Sequence, residues 1–268
     1  MKTRGIIYVA TGAKYLAEAL VSAASARAVM PGIPMSLWTD QEVPAGLFEN
    51  VFPAVPDERG RVAKMRAMAS SPYEETLFLD SDTLICQPFE DIFLPLARYD
   101  IAIAHEVYRN EYKFEVYPES FPALNTGVVA YRNTEKVREL FRAWEESYMT
   151  NFRYKQPFDQ PAFRHTLFHS DLLHYILPPE FNFRTNYPVV LGGFSRVKIL
   201  HDRTPFIREL ARLLGDQTSP RPVYYGPITR KYFGHWFWYR FRTILRRIRD
   251  AGFLETLNKV RKRVMKRA

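Results

Sequence analysis

Cysteine is almost missing: Cys86 is the only one in 268 residues. That excludes an internal disulfide and any cysteine-built zinc cluster, and it fits a reducing compartment. No run of about twenty apolar residues occurs, and Met1-Lys2-Thr3-Arg4 leads straight into a strand-like segment without an apolar leader core. Both absences argue against secretion and membrane spanning, so the expected location is the cytoplasm. Two phosphate-binding signatures are missing as well, G-x-G-x-x-G and G-K-[ST], which removes a dinucleotide fingerprint and a P-loop. What the chain has instead is apolar bulk and positive charge. At 47% hydrophobic residues it can bury a large core, and its formal charge of +9 points to an acidic partner: nucleic acid, anionic lipid or a phosphorylated substrate.

Strand and helix patterns alternate along the first part of the chain. Gly5 to Ala10 reads as a strand closed by Thr11-Gly12, and Tyr15 to Val29 reads as a helix. Gly12 lets the backbone approach a ligand, and the helix start beyond it offers free N–H groups to an anion. Met35 to Trp38 is a second strand, Val62 to Met68 a helix, and Leu77-Phe78-Leu79 a third strand. Tyr99 to Ala104 and Leu124 to Tyr131 follow as strands, and Asn133 or Thr134 caps a helix through Trp144. Between them, Glu106 to Ala123 mixes aromatics, charges and prolines without a period, the composition of a functional loop. Phe158 to Phe163 opens a further helix with Pro161 in its first turn, so Asp159 and Gln160 sit at its N-terminus. The alternation predicts an α/β fold with a mostly parallel central sheet flanked by helices.

Two carboxylates end the third strand, in Leu79-Asp80-Ser81-Asp82-Thr83. Ligands of open α/β sheets bind outside the carboxyl ends of the strands, which places Asp80 and Asp82 in the ligand crevice. Hard oxygen donors suit Mg²⁺ or Mn²⁺, with open positions left for substrate phosphates. Asp and Ser are also ordinary turn residues, so the triplet alone allows either reading.

The order of motifs resembles the metal-dependent GT-A-fold glycosyltransferases, and within them glycogenin and its bacterial family 8 relatives. The resemblance runs over roughly the first three quarters of the chain. It is carried by Thr11 and Tyr15 in the first β–α turn, Lys64 in the helix before the acidic strand, and the run from Tyr73 through Thr83. Asn125-Thr126-Gly127-Val128, the Asp159-Gln160 helix start and Lys198-Ile199-Leu200-His201 complete the series. The resemblance implies a nucleotide-diphospho-sugar transferase fold and a hexosyltransferase-type activity, moving a sugar from a UDP-sugar or similar donor to an acceptor hydroxyl with retention. It implies Mn²⁺ or Mg²⁺ held by Asp80, Asp82 and His201. The donor would be bound by Ala10, Thr11, Gly12, Tyr15, Lys64, Asp80 and Ser81, with Asn125, Asp159 and Gln160 around the transferred sugar. Relatives place a glycine and then a lysine after the late histidine; here Asp202 and Arg203 follow, and Arg203 is the candidate replacement cation.

The domain expectation is a catalytic part at 1–215 and a basic, aromatic, helical C-terminal extension at 216–268. In the extension Phe237, Phe241, Leu245 and Ile248 recur at helical spacing between arginines. Such a face fits an anionic membrane surface, and with it a lipid-linked or cell-envelope glycan acceptor. It fits equally a helix packed back on the catalytic part. Two other functions stay open: a sugar-phosphate nucleotidyltransferase, for which Thr11-Gly12-Ala13-Lys14 is a sparse phosphate loop, and a non-catalytic protein whose basic tail binds membrane or nucleic acid.

Overall fold

The computed structural model describes residues 3–55, 60–109, 117–152, 158–204, 206–215, 218–226 and 231–234, with single positions at 241, 245, 248, 249 and 252. In chain order the elements are β1 (Arg4–Ala10), α1 (Ala13–Val29), β2 (Met35–Thr39), β3 (Asn50–Pro53), α2 (Arg61–Ala69), β4 (Glu75–Leu79) and β5 (Thr83–Ile85). There follow β6 (Ile101–His105), β7 (Leu124–Arg132), α3 (Glu135–Ser147), α4 (Gln160–Phe168), β8 (His174–Ile176), β9 (Val189–Leu191), β10 (Ile199–His201), α5 (Ile207–Gly215), β11 (Val223–Gly226) and β12 (Lys231–Gly234). They divide into two compact units, Met1–Tyr187 with Arg196–Gln217, and Pro188–Ser195 with Thr218–Ala268.

The first unit is built on a seven-stranded sheet of order β3-β2-β1-β4-β7-β6-β8. β3, β2, β1 and β4 run parallel and β8 pairs parallel with β6, whereas β7 is antiparallel to both its neighbours. Strand alternation sends side chains to two cores. Ile6, Tyr8, Leu77 and Leu79 pack with Leu16, Ala19, Ala23 and Ala26 of α1 on one face. Ile7, Phe78, Val129 and Tyr131 pack with Val62 and Met65 of α2, Phe141 and Trp144 of α3, and Phe163 of α4 on the other. With both faces covered, β4 is buried along its whole length, which explains why Leu77, Phe78 and Leu79 are apolar in succession rather than alternating. Each large side chain so buried contributes roughly 1.5–3 kcal/mol of transfer free energy.

Three features hold the functional end of the sheet in place. Gly12 turns the chain from β1 into α1 at φ 87°, a left-handed backbone that favours glycine, and its N–H donates to Asp40 Oδ1 at 2.7 Å. Beyond β4, the Asp80-to-Thr83 turn closes with Thr83 Oγ1 donating to the Asp80 carbonyl at 2.9 Å. β5 then pairs antiparallel with β10, placing His201 opposite Thr83.

The second unit contains a three-stranded antiparallel sheet, β12-β11-β9. The expected helical extension therefore begins with strands, in a Val223-Tyr224-Tyr225 stretch whose β-branched and aromatic residues favour extended backbone. Phe241, Leu245, Ile248 and Arg249 do have helical backbone. Phe237 and most of the basic run after it lie outside the described residues. Among the described residues no helix is long and apolar enough to cross a membrane.

Candidate active site

A cavity of about 270 Å³ opens at the carboxyl ends of β1 and β4, entirely within the first unit. Thr11, Tyr15, Lys64, Asp80, Ser81, Asp82, Asn125, Asp159, Gln160, His201 and Arg203 all line it. Ala10 and Gly12 lie beside the cavity without lining it, their polar groups already engaged: the Ala10 carbonyl accepts from Thr39 Oγ1 at 2.6 Å, and the Gly12 N–H is given to Asp40. A larger groove of about 530 Å³ is bordered by α3 and α4, where His165 and His169 stand with Lys136, Glu139, Glu146 and Asp171; none of the residues the motifs point to lines it.

Asp80, Asp82 and His201 each present one ligand atom, and these atoms all lie within 4.8 Å of one another. His201 Nε2 is 3.6 Å from Asp80 Oδ2 and 3.6 Å from Asp82 Oδ1. Nitrogen and oxygen ligands on one small divalent ion, at about 2.1 Å each, stand roughly 3 to 3.5 Å apart. The imidazole is oriented from behind, with Nδ1 2.8 Å from Asn182 Oδ1. Asn182 Nδ2 donates to Asn125 Oδ1 at 2.9 Å, so the Asn182 oxygen faces His201 as an acceptor. Nδ1 therefore faces Asn182 as a donor, which leaves Nε2 pointing at the two carboxylates. Space is reserved for this ring by Gly127: a Cβ there would stand 2.1 Å from His201 Cε1 and 2.7 Å from Asp80 Oδ2.

The charges around the cavity are paired. Lys64 is buried; its Nζ donates to Asp80 Oδ1 at 3.2 Å and Thr126 Oγ1 at 3.0 Å, and lies 3.4 Å from Asp159 Oδ2. It is thus fixed in the wall of the cavity. Burial works against its charge, but Asp159 and Asp80 outweigh burial and raise its pKa. Asp159 stands at the N-cap of α4 yet makes no capping hydrogen bond. Its carboxylate instead accepts from Thr126 Oγ1 at 3.1 Å and faces Lys64 and Arg61, so it is turned into the cavity. At Asp82 burial opposes ionisation, but His201 and Arg203 overcome it and hold the carboxyl well below the usual carboxylate range.

Four residues outside the motifs complete the site. Glu106 Oε2 accepts from Asn125 Nδ2 at 2.7 Å, from Arg184 Nη1 at 3.2 Å and, weakly, from Gln160 Nε2 at 3.4 Å. Arg61 and Arg184 line the cavity, and Glu18 grips Arg203. The composition around Glu106 marked only a loop, and no sequence signal marked Glu18. Around the cavity the carboxylates of Glu18, Asp80, Asp82, Glu106, Asp159 and Asp202 face the cations of Arg61, Lys64, Arg184 and Arg203. Among the described residues the carboxylates thus outnumber the arginine and lysine cations here, a balance that suits a bound cation. The donor atoms, the imidazole nitrogen aimed between them and this excess of carboxylates fit Mn²⁺ or Mg²⁺.

No family model matches the sequence, and no curated protein matches it. Solved structures do. The glycosyltransferase GlyE of Streptococcus pneumoniae TIGR4 aligns with a TM-score of 0.57 at 14% identity over 81% of this chain, which spans 61% of GlyE's length. The galactosyltransferase LgtC, solved in complex with donor and acceptor sugar analogs, aligns at a TM-score of 0.56 and 16% identity, covering 78% of this chain and 96% of LgtC. An active-site glutamine-to-glutamate mutant of LgtC gives a TM-score of 0.56 at 15% identity, covering 75% and 88%. The chain has the α/β fold of these proteins, the GT-A fold, with a largely parallel sheet flanked by helices.

Proposed function

We propose that this protein is a metal-dependent glycosyltransferase that moves a hexose from a nucleotide-diphosphate-sugar, a UDP-sugar, to an acceptor hydroxyl with retention of configuration. The observation that carries the proposal is the convergence of Asp80, Asp82 and an oriented His201 Nε2 beside a polar cavity at the carboxyl end of the sheet. The GT-A fold, shared with two glycosyltransferases, raises the prior without assigning a substrate.

Asp80, Asp82 and His201 would hold the Mn²⁺ or Mg²⁺, which supplies stabilisation of the charge left on the departing diphosphate, worth several kcal/mol. The protein's own groups supply position and countercharge. Thr11 and the half-exposed Tyr15 ring border the cavity where β1 turns into α1, and they take the nucleobase. Arg203, on the loop after β10, faces the diphosphate. Lys64, fixed between Asp80 and Asp159, holds both carboxylates in register. Asp159 and Gln160 present a carboxylate and an amide to the transferred sugar, and Gln160 is the glutamine that lines this cavity. Asn125 has its amide committed to Gly127, Asn182 and Glu106, so its part is to hold the wall of the sugar site. The basic, aromatic stretch after Thr218 suits a lipid-linked or cell-envelope acceptor at an anionic membrane surface.

The test is nucleotide release from a panel of nucleotide sugars with Mn²⁺, Mg²⁺ or chelator. UDP release from one UDP-sugar, dependent on the ion and lost in Asp82→Asn while that variant keeps its melting temperature, is the expected result. Undiminished turnover in Asp82→Asn sinks the assignment.

A further inference from the structure

Glu18 belongs to none of the sequence motifs, yet three segments of the site meet on its carboxylate. It stands on α1 one turn beyond Tyr15. Its Oε1 accepts from Arg203 Nε at 2.8 Å, and its Oε2 accepts from Arg203 Nη2 at 3.0 Å and from Ser81 Oγ at 3.0 Å. The same Arg203 Nη2 lies 3.5 Å from Asp82 Oδ2, and the guanidinium carbon sits 5.2 Å from the centre of the Tyr15 ring. Two carboxylates therefore compete for one guanidinium. Glu18 holds it through a two-pronged fork, the stronger geometry, whereas Asp82 has only a long contact.

Arg203 is also the cation with room to move. Its side chain is 47% exposed, against 9% for Lys64, 21% for Arg61 and 20% for Arg184. Were Glu18 uncharged, the nearest remaining carboxylate for Arg203 would be Asp82. A guanidinium seated there occupies an oxygen the metal requires and places a positive charge where the ion must enter.

We propose that Glu18 is a positioning residue for the metal site: by gripping Arg203 it keeps the guanidinium off Asp82, leaving that carboxylate open to a divalent cation and the remaining Arg203 N–H groups facing the diphosphate. This rests on the functional reading above, because it takes Asp80, Asp82 and His201 as the ion's ligands. Glu18 acts through Arg203, so its effect must vanish when Arg203 is removed.

The experiment is calorimetric titration of Mn²⁺ into the full-length protein without donor, for the wild type, Glu18→Gln, Glu18→Asp, Arg203→Ala and the Glu18→Gln/Arg203→Ala double variant. Glu18→Gln keeps the size and an acceptor for Ser81. It is expected to weaken Mn²⁺ binding about five- to tenfold, in the range of interaction energies between residues of one salt-bridge network. Glu18→Asp keeps the charge and retains most of the affinity, Arg203→Ala binds more tightly than wild type, and the double variant matches Arg203→Ala. Weakening by the same factor with and without Arg203 means that Glu18 acts through its own field, which overturns the proposal. No weakening in Glu18→Gln overturns it too, and if that variant fails to fold, equal loss in Glu18→Asp and in a folded Glu18→Ser does so. A wild-type protein that binds no Mn²⁺ takes the functional reading down with it, whereas tight wild-type binding insensitive to Glu18 removes this inference alone.

Discussion

The proposed part of His201 as a ligand depends on what stands behind its imidazole. Asn182 Oδ1 accepts a hydrogen bond from Nδ1, Asn125 orients Asn182, and Glu106 orients Asn125. Outer partners of this kind typically set metal affinity by 10- to 100-fold. Asn182→Ala is therefore expected to weaken Mn²⁺ binding by roughly 10-fold or more while the melting temperature moves little, and calorimetry against a thermal melt checks both. Lys64 makes the opposite kind of prediction. Replacing it by Met leaves Asp159 and Asp80 with a buried negative charge and no ammonium between them, a loss of roughly 3–5 kcal/mol, measured by urea denaturation. An unchanged midpoint would contradict the pairing. At this scale the sequence was partly legible. The acidic pair, His201, Lys64 and Asp159 stand in patterns that a reader can find. Glu18, Glu106, Asn182 and Arg184 do not, because each acquires its role from a partner at least 19 residues away, from 57 to 185 away for most pairs, and nothing local marks it.

Two very short strands assemble the site. β5 and β10 have three residues each, and their antiparallel register alone puts His201 opposite the Asp80-to-Thr83 turn. Three residues are too few to show a period, so this pairing was not legible, whereas β4 was marked by Leu77-Phe78-Leu79 running into two aspartates, and α1 by a long run of helix-forming residues. β7 contributes by approaching closely: the Asp80 N–H donates to the Gly127 carbonyl at 2.8 Å, and Gly127 leaves the volume that the His201 ring fills. A methyl group there cannot coexist with the ring. Gly127→Ala should push His201 away from Asp80 and Asp82 and lower Mn²⁺ affinity at least as much as Asn182→Ala, with far-UV circular dichroism unchanged. Wild-type metal affinity in that variant would show that the ring has slack the structure does not display.

Charge is divided unevenly along the whole molecule. Residues 218–268 carry 14 of the 38 Lys and Arg but only 2 of the 29 Asp and Glu, a formal +12, which leaves −3 for residues 1–217. The basic character thus belongs to the C-terminal stretch, and the unit with the cavity is mildly acidic, as a cation site requires. Stability of the fold carries its own pH signature. His105 is pushed down to about 4, first by burial and then by Arg109 and His174, and burial lowers His174 as well. Both are neutral in the folded protein at pH values where the unfolded chain already takes up protons. Their contribution is complete above about pH 6.5 and is lost as pH falls toward 4. Urea midpoints at pH 7 and pH 5 should fall in that order, and His105→Gln should reduce the difference. The central claim is that Asp80, Asp82 and His201 form a metal site that recruits a nucleotide sugar, and a thermal-shift titration of UDP-sugars with and without Mn²⁺ tests it most directly. At a hundredfold excess over Kd, bound ligand stabilises by about 2.7 kcal/mol, a rise of roughly 5–10 °C in Tm. The account predicts that donor added over saturating Mn²⁺ gives that rise beyond the one Mn²⁺ gives alone in the wild type, and gives none in Asp82→Asn; an equal rise from donor without the metal, or in Asp82→Asn, contradicts it.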